Sequence, residues 1–173
     1  NGPVLSNVVF DNPIGIAVTA SNSLISNNLI YDNAVIGLKL SQGTGPDIVN
    51  NTIYQVAGIG LRAETSVKNL RLRNNIIWAA GGTGVSIAND SQTGLTSDFN
   101  LLFASGTGVV GNWLGFTQTT LQQWQIATGK DANSLTSDPL FVDLDGGDNV
   151  LGYVLGGVDG SDDDFHLQSQ FGS

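Results

Sequence analysis

Apolar positions between residues 4 and 111 do not recur at the helical period. They come in short alternating runs, and the runs themselves repeat. Five segments carry one pattern: SNVVFD (6–11), NNLIYD (27–32), NNTIYQ (50–55), NNIIWA (74–79) and FNLLFA (99–104). Their asparagines Asn7, Asn28, Asn51, Asn75 and Asn100 stand 21, 23, 24 and 25 residues apart. Two places after each lies an aliphatic residue (Val9, Ile30, Ile53, Ile77, Leu102) and three places after it an aromatic one (Phe10, Tyr31, Tyr54, Trp78, Phe103). Eight or nine places after comes a glycine (Gly15, Gly37, Gly60, Gly84, Gly108), followed each time by an aliphatic residue. The column three before the asparagine reads Val4, Ile25, Ile48, Leu72, Ser97 and is expected to point inward.

Units of this length, rich in β-branched residues, predict three short strands each: one before the asparagine, one after it and one after the glycine. Stacked in register at roughly 4.8 Å per turn, equivalent side chains lie on one another as ladders. The expected fold class is all-β: a right-handed single-stranded parallel β-helix of about five turns. An asparagine ladder is expected at one corner, where asparagine tolerates left-handed backbone, with glycine doing the same at another. After Gly111 the pattern stops. TTLQQWQIAT (119–128) predicts one short helix, capped by Thr119 or Thr120 and ended by Gly129. SLTSDPLFVD (134–143), an Asp/Gly-rich loop and DFHLQS (164–169) follow. We therefore expect β-helix turns over 1–113 and an irregular capping segment over 114–173, in one compact domain, with Trp113 and Trp124 anchoring the cap.

With its asparagine ladder the chain resembles the pectin-lyase-like superfamily of right-handed β-helices. The order of its tail is similar to that of bacterial secreted β-helix repeat proteins. The resemblance implies a secreted or cell-surface protein of bacteria, and a substrate groove on the exposed face of the strand that follows the glycine.

Composition narrows the partners. Charged residues make up 12 % of the chain, and the apolar content is too high for disorder. A net charge of −9 argues against nucleic acid and anionic membrane surfaces, and no apolar run approaches the roughly 20 residues of a membrane span, so no membrane insertion is expected. Cysteine is missing, which excludes disulfides and thiolate metal sites. The chain opens at Asn1 directly into strand-like sequence, as an internal piece of a longer protein would. The strand edges of its first turn then invite end-to-end self-association.

Candidate chemistry follows from the columns. Asp47 and Arg71, and Arg73 and Asp98, fall one turn apart and predict surface salt bridges. Lys39 and Arg62 each stand two after the column glycine, so like charges stack about 5 Å apart, which calls for an anion over them. Glu64 lies two further along that strand face. The arrangement is similar to that of the chondroitinase B and alginate lyase family. That similarity implies Lys39 as base, Arg62 as acid or carboxylate neutraliser and Glu64 as positioner. The plainer alternative is an Arg62–Glu64 pair with Lys39 in solvent. Asp11 and Asp32 stack four after the asparagine and are a candidate for shared calcium. Asp143, Asp145 and Asp148 form a second calcium candidate, without the terminal glutamate of an EF-hand. Asp159, Asp162, Asp163 and Asp164 add a further acidic cluster. The aromatic column would make a sugar-stacking stripe if it faced outward, and a packed corner otherwise. His166 reads as a surface strand residue. Calcium is the only cofactor these residues suggest, and polysaccharide the favoured partner. The expected function is binding or processing of polysaccharide, uronic-acid polymers included. Alternatives are a structural or adhesive surface module and a calcium-stabilised assembly module.

Overall fold

A computed structural model of the chain describes residues 2–19, 21–155 and 159–168. Five turns each contribute three strands. The first comprises β1 (Val4–Leu5), β2 (Val8–Val9) and β3 (Ile14–Val18), and the second β4 (Leu24–Ser26), β5 (Leu29–Tyr31) and β6 (Ile36–Ser41). The third comprises β7 (Asp47–Val49), β8 (Thr52–Gln55) and β9 (Ile59–Glu64), and the fourth β10 (Arg71–Arg73), β11 (Ile76–Ala79) and β12 (Thr83–Ile87). The fifth comprises β13 (Thr96–Asp98), β14 (Leu101–Ala104) and β15 (Val109–Trp113). Equivalent strands pair in parallel, giving three sheets: β1-β4-β7-β10-β13, β2-β5-β8-β11-β14 and β3-β6-β9-β12-β15. β16 (Phe116–Gln118) then pairs antiparallel with β15, and the helix α1 (Leu121–Thr128) follows. Thr120 caps α1 through its side chain, and Gly129, in the left-handed region at φ 66°, ends it.

The inward columns of all three sheets make one core. Ile25, Ile48 and Leu72 face Ile30, Ile53 and Ile77, with Leu38, Leu61 and Val85 completing the layers, all at most 3 % exposed. At the corner between the first and second sheets each asparagine donates its backbone N–H and its amide to the next asparagine's Oδ1. The links Asn7–Asn28, Asn28–Asn51, Asn51–Asn75 and Asn75–Asn100 are 2.9–3.0 Å long between the amides. The left-handed backbone belongs to the residue before the ladder rather than to the ladder itself: Ser6, Asn27, Asn50, Asn74 and Phe99 all lie at φ 55–57°. A shorter amide ladder, not anticipated from the sequence, runs from Asn12 through Asn33 to Gln55 at the next corner.

The column glycines also differ from expectation. Gly15, Gly37, Gly60 and Gly84 do not take positive φ. A Cβ on any of them would come within 2.7–2.8 Å of a backbone carbonyl of the next turn, so close stacking demands glycine here. In the fifth turn Gly108 leaves the column. Val85 pairs with Gly111 instead of Val109, and a Cβ on Gly111 would lie 2.6 Å from the Trp124 ring. The missing side chain makes room for the Trp124 indole, which is fully buried in the core cluster. Residues 114–137, read with the tail from the sequence, thus close the end of this core. The first compact unit runs to Ser137.

Beneath α1 the ladder ends on Asp131, 1 % exposed. Its Oδ1 accepts from Asn100 Nδ2 (3.0 Å), Ser97 Oγ (3.0 Å) and Ser134 Oγ (2.7 Å), and its Oδ2 from Trp124 Nε1 (2.8 Å). Ser134 Oγ takes the Asn100 backbone N–H, the role that the next asparagine plays elsewhere.

The second unit, 138–173, pairs β17 (Phe141–Asp143) antiparallel with β18 (Asp164–Leu167), and Phe141 meets Phe165 at 5.2 Å.

Candidate functional site

The outer face of the third sheet is built by register alone. Ala17 pairs with Lys39, Lys39 with Arg62, Arg62 with Ser86 and Ser86 with Asn112, so these five residues form one unburied column across the turns. The neighbouring column places Ser41 beside Glu64. Two cations on adjacent turns at strand spacing repel, and the chain resolves the conflict internally. Glu64 bridges both, with Lys39 Nζ at 2.8 Å and Arg62 Nε at 2.6 Å. The Arg62–Glu64 pair of the plainer sequence reading is present, but Lys39 also engages Glu64 instead of standing in solvent.

The electrostatic consequence is legible on Glu64. The hydrogen bond from Lys39, offset in part by desolvation and reinforced by the charge of Arg62, holds its carboxyl below the usual 4.5. A group whose folded pKa is depressed adds stability above its unfolded pKa and loses it as pH falls through the folded value. Glu64→Gln should therefore flatten the pH dependence of stability below about pH 4.5. With a partly exposed cluster the difference should stay under about 1 kcal/mol. Urea midpoints at pH 3 and pH 7 check this, and an unchanged pH slope would show that the bridge does not persist in solution.

Chemically, the trio carries one net positive charge on an otherwise small, polar strip of strand. Lys39 donates a hydrogen bond to Glu64. The arrangement suits contact with hydroxyls and a single anionic group.

The other sequence candidates separate. Asp47 pairs with Arg71 at 3.4 Å as expected, but Arg73 also turns to Asp47, at 3.1 Å, and not to Asp98. Asp98 is drawn instead to Asn133, whose backbone and side-chain N–H groups both lie 2.8 Å away. Asp11 and Asp32 sit at a corner in left-handed backbone, φ 55° and 45°, where the Asp11 N–H reaches the Asp32 carbonyl. In the second unit Asp148 accepts from the Val150 N–H, Asp162 from the Asp148 N–H and Asp163 from the Gly152 N–H, so these acids shape the loop. Among the described residues no three His, Asp or Glu side chains are gathered as metal ligands, Asp143 and Asp145 included. His166 is exposed and paired with Asp164 at 2.6 Å, and its backbone N–H is the first of the contacts that lower the Asp164 pKa.

The aromatic column stacks continuously in places, with Phe10–Tyr31 at 4.8 Å, Tyr54–Trp78 at 4.9 Å and Trp78–Phe103 at 5.3 Å. Tyr31 and Tyr54 are buried, so it is a packed corner rather than an open sugar-binding stripe.

Three parallel sheets wound by one chain around an amide-laddered core define a β-solenoid protein. A family model described as "Right handed beta helix region" matches residues 1–126, and the chain belongs to that family. This accords with the pectin-lyase-like resemblance of the sequence. No curated protein and no solved structure matches the chain.

Proposed function

We propose that this chain is a glycan-binding module of a secreted or cell-surface protein and that it holds polysaccharide along the outer face of the third sheet. The observation that carries the reading is the Lys39–Arg62–Glu64 cluster: two of the chain's six basic residues converge there on an open strand face flanked by small and polar side chains. Extended glycans match such faces because their hydroxyls can take successive donors along the strand.

Glycan binding to wild type and to Lys39→Ala/Arg62→Ala, on an array with and without calcium, tests this. The double variant should lose about tenfold or more in affinity, the loss expected when hydrogen bonds to charged groups are removed. A second reading is favoured by one observation: Glu64 already satisfies both cations, as it would in a purely structural solenoid segment. Failure of every glycan to bind, in either condition, would replace the first reading by this one.

A further inference from the structure

The antiparallel strand β16 ends the third sheet, and among the described residues no strand lies along its outer edge. Its residues Phe116, Thr117 and Gln118 carry none of the devices that usually blunt an open edge: no charge, no proline and no bulge. Phe116 is 72 % exposed. A two-residue turn, Leu114 at φ 56° and Gly115 at φ 80°, closes the hairpin between Trp113 and Phe116. Hydrogen-bonded and non-hydrogen-bonded pairs alternate in such a hairpin. Thr117, one place beyond the closing pair, therefore points its N–H and C=O away from β15.

Two further observations say what suits this edge. The first is the hairpin tip. Leu114 takes a positive φ at which asparagine or glycine is at ease, and its side chain is 49 % exposed. An apolar group is thus kept at the surface, beside Phe116, at a cost in backbone strain. The second is charge. Residues 99–129 include no charged side chain, in a chain of net charge −9. Copies of so acidic a chain repel where their acidic surfaces meet, and a contact through this neutral segment is opposed least. A strongly basic partner, by contrast, would be drawn to the acidic remainder of the chain.

We infer that two copies of this chain associate by pairing β16 with β16, antiparallel about a two-fold axis at Thr117. That register is self-complementary. Each Thr117 exchanges both backbone hydrogen bonds with its counterpart, and the two threonine side chains lie opposite each other. Each Phe116 then faces the other copy's Gln118. The two third sheets become one, and the open edge disappears. The inference does not depend on the glycan-binding reading, and it concerns a different edge from that of the first turn.

Sedimentation equilibrium of the full chain from roughly 1 µM to 1 mM tests it. Wild type should pass from monomer to dimer with a Kd of about 10–100 µM, in keeping with a small contact. Thr117→Lys puts like charges directly opposite each other and should weaken the dimer about tenfold or more, and Thr117→Glu should do the same. An equimolar mixture of these two variants should form a heterodimer at least as tight as the wild-type dimer, a rescue that damage to the fold would not give. Wild type that stays monomeric across the range would overturn the inference and leave the edge to another protein. So would wild-type dimerisation by each variant alone, or a mixture that stays monomeric. A dimer abolished by Val8→Lys and untouched by both Thr117 variants would overturn it too, and would move the contact to the first turn.

Discussion

Replacing Asp131 by alanine should lower the stability of the chain by about 3 kcal/mol or more, since a buried donor left without its acceptor costs about 1–3 kcal/mol. Three donors lose their acceptor at once, the Ser97 and Ser134 hydroxyls and the Trp124 indole N–H, while the Asn100 amide keeps the Leu72 carbonyl and Ser97 Oγ. Not every donor will carry the full penalty, because water entering the vacated volume can meet some of them. Asp131→Asn keeps the shape but presents a donor where an acceptor is needed, and should cost roughly half as much. Urea unfolding followed by tryptophan emission gives the energies. The indole N–H of Trp124, observed by NMR, should exchange faster in the alanine variant before global unfolding. A loss below about 1 kcal/mol with that proton still protected would mean that the end of the ladder does not depend on this carboxylate.

The expected cost shows what kind of information a sequence column carries. The stack was legible because each turn repeats the demands of the last. Ile25, Ile48 and Leu72 must face inward, and asparagine must follow the corner residue, so periodicity exposes both. The end of the stack has no repeat to reveal it. Asp131 lies in a polar loop and Trp124 on a helix, and what joins them to the fifth turn is packing between elements far apart in sequence. Two signals were nevertheless present. Ser97 interrupts an otherwise apolar inward column, and its hydroxyl is one of the donors to Asp131. Phe99 interrupts a column of serine and asparagine. By contrast, the slip that puts Gly111 opposite Val85 was hidden, because Gly108 satisfies the spacing, while the Trp124 ring that needs the room over Gly111 comes from a later helix. At the third sheet, register fixes which residues share a face, so Lys39, Arg62 and Glu64 could be grouped from spacing. Long side chains with several free torsions leave the choice of partner open, so the shared bridge could not.

Position along the asparagine ladder should then set the cost of breaking it. Asn51 is 1 % exposed and sits in the middle. Its Oδ1 accepts the backbone and side-chain N–H groups of Asn28, and its Nδ2 donates to Asn75 Oδ1 and to the carbonyls of Ile25 and Val49. Asn51→Ala strips partners from two neighbouring turns together, and we expect a loss of about 3–5 kcal/mol, at the upper end of single-residue effects. Asn51→Asp should do little better. Its oxygens suit the Asn28 donors but place negative charge against Asn75 Oδ1 and two carbonyls. Asn7, exposed at the first turn, donates its amide to Asn28 and to the Leu5 carbonyl, where water can substitute, so Asn7→Ala should cost less than about 1 kcal/mol. Matched urea titrations of the three variants decide the point. Equal losses at Asn7 and Asn51 would mean that each asparagine acts through its own turn alone. A large gap would show that the amide links between turns, more than corner propensity, hold the stack in register.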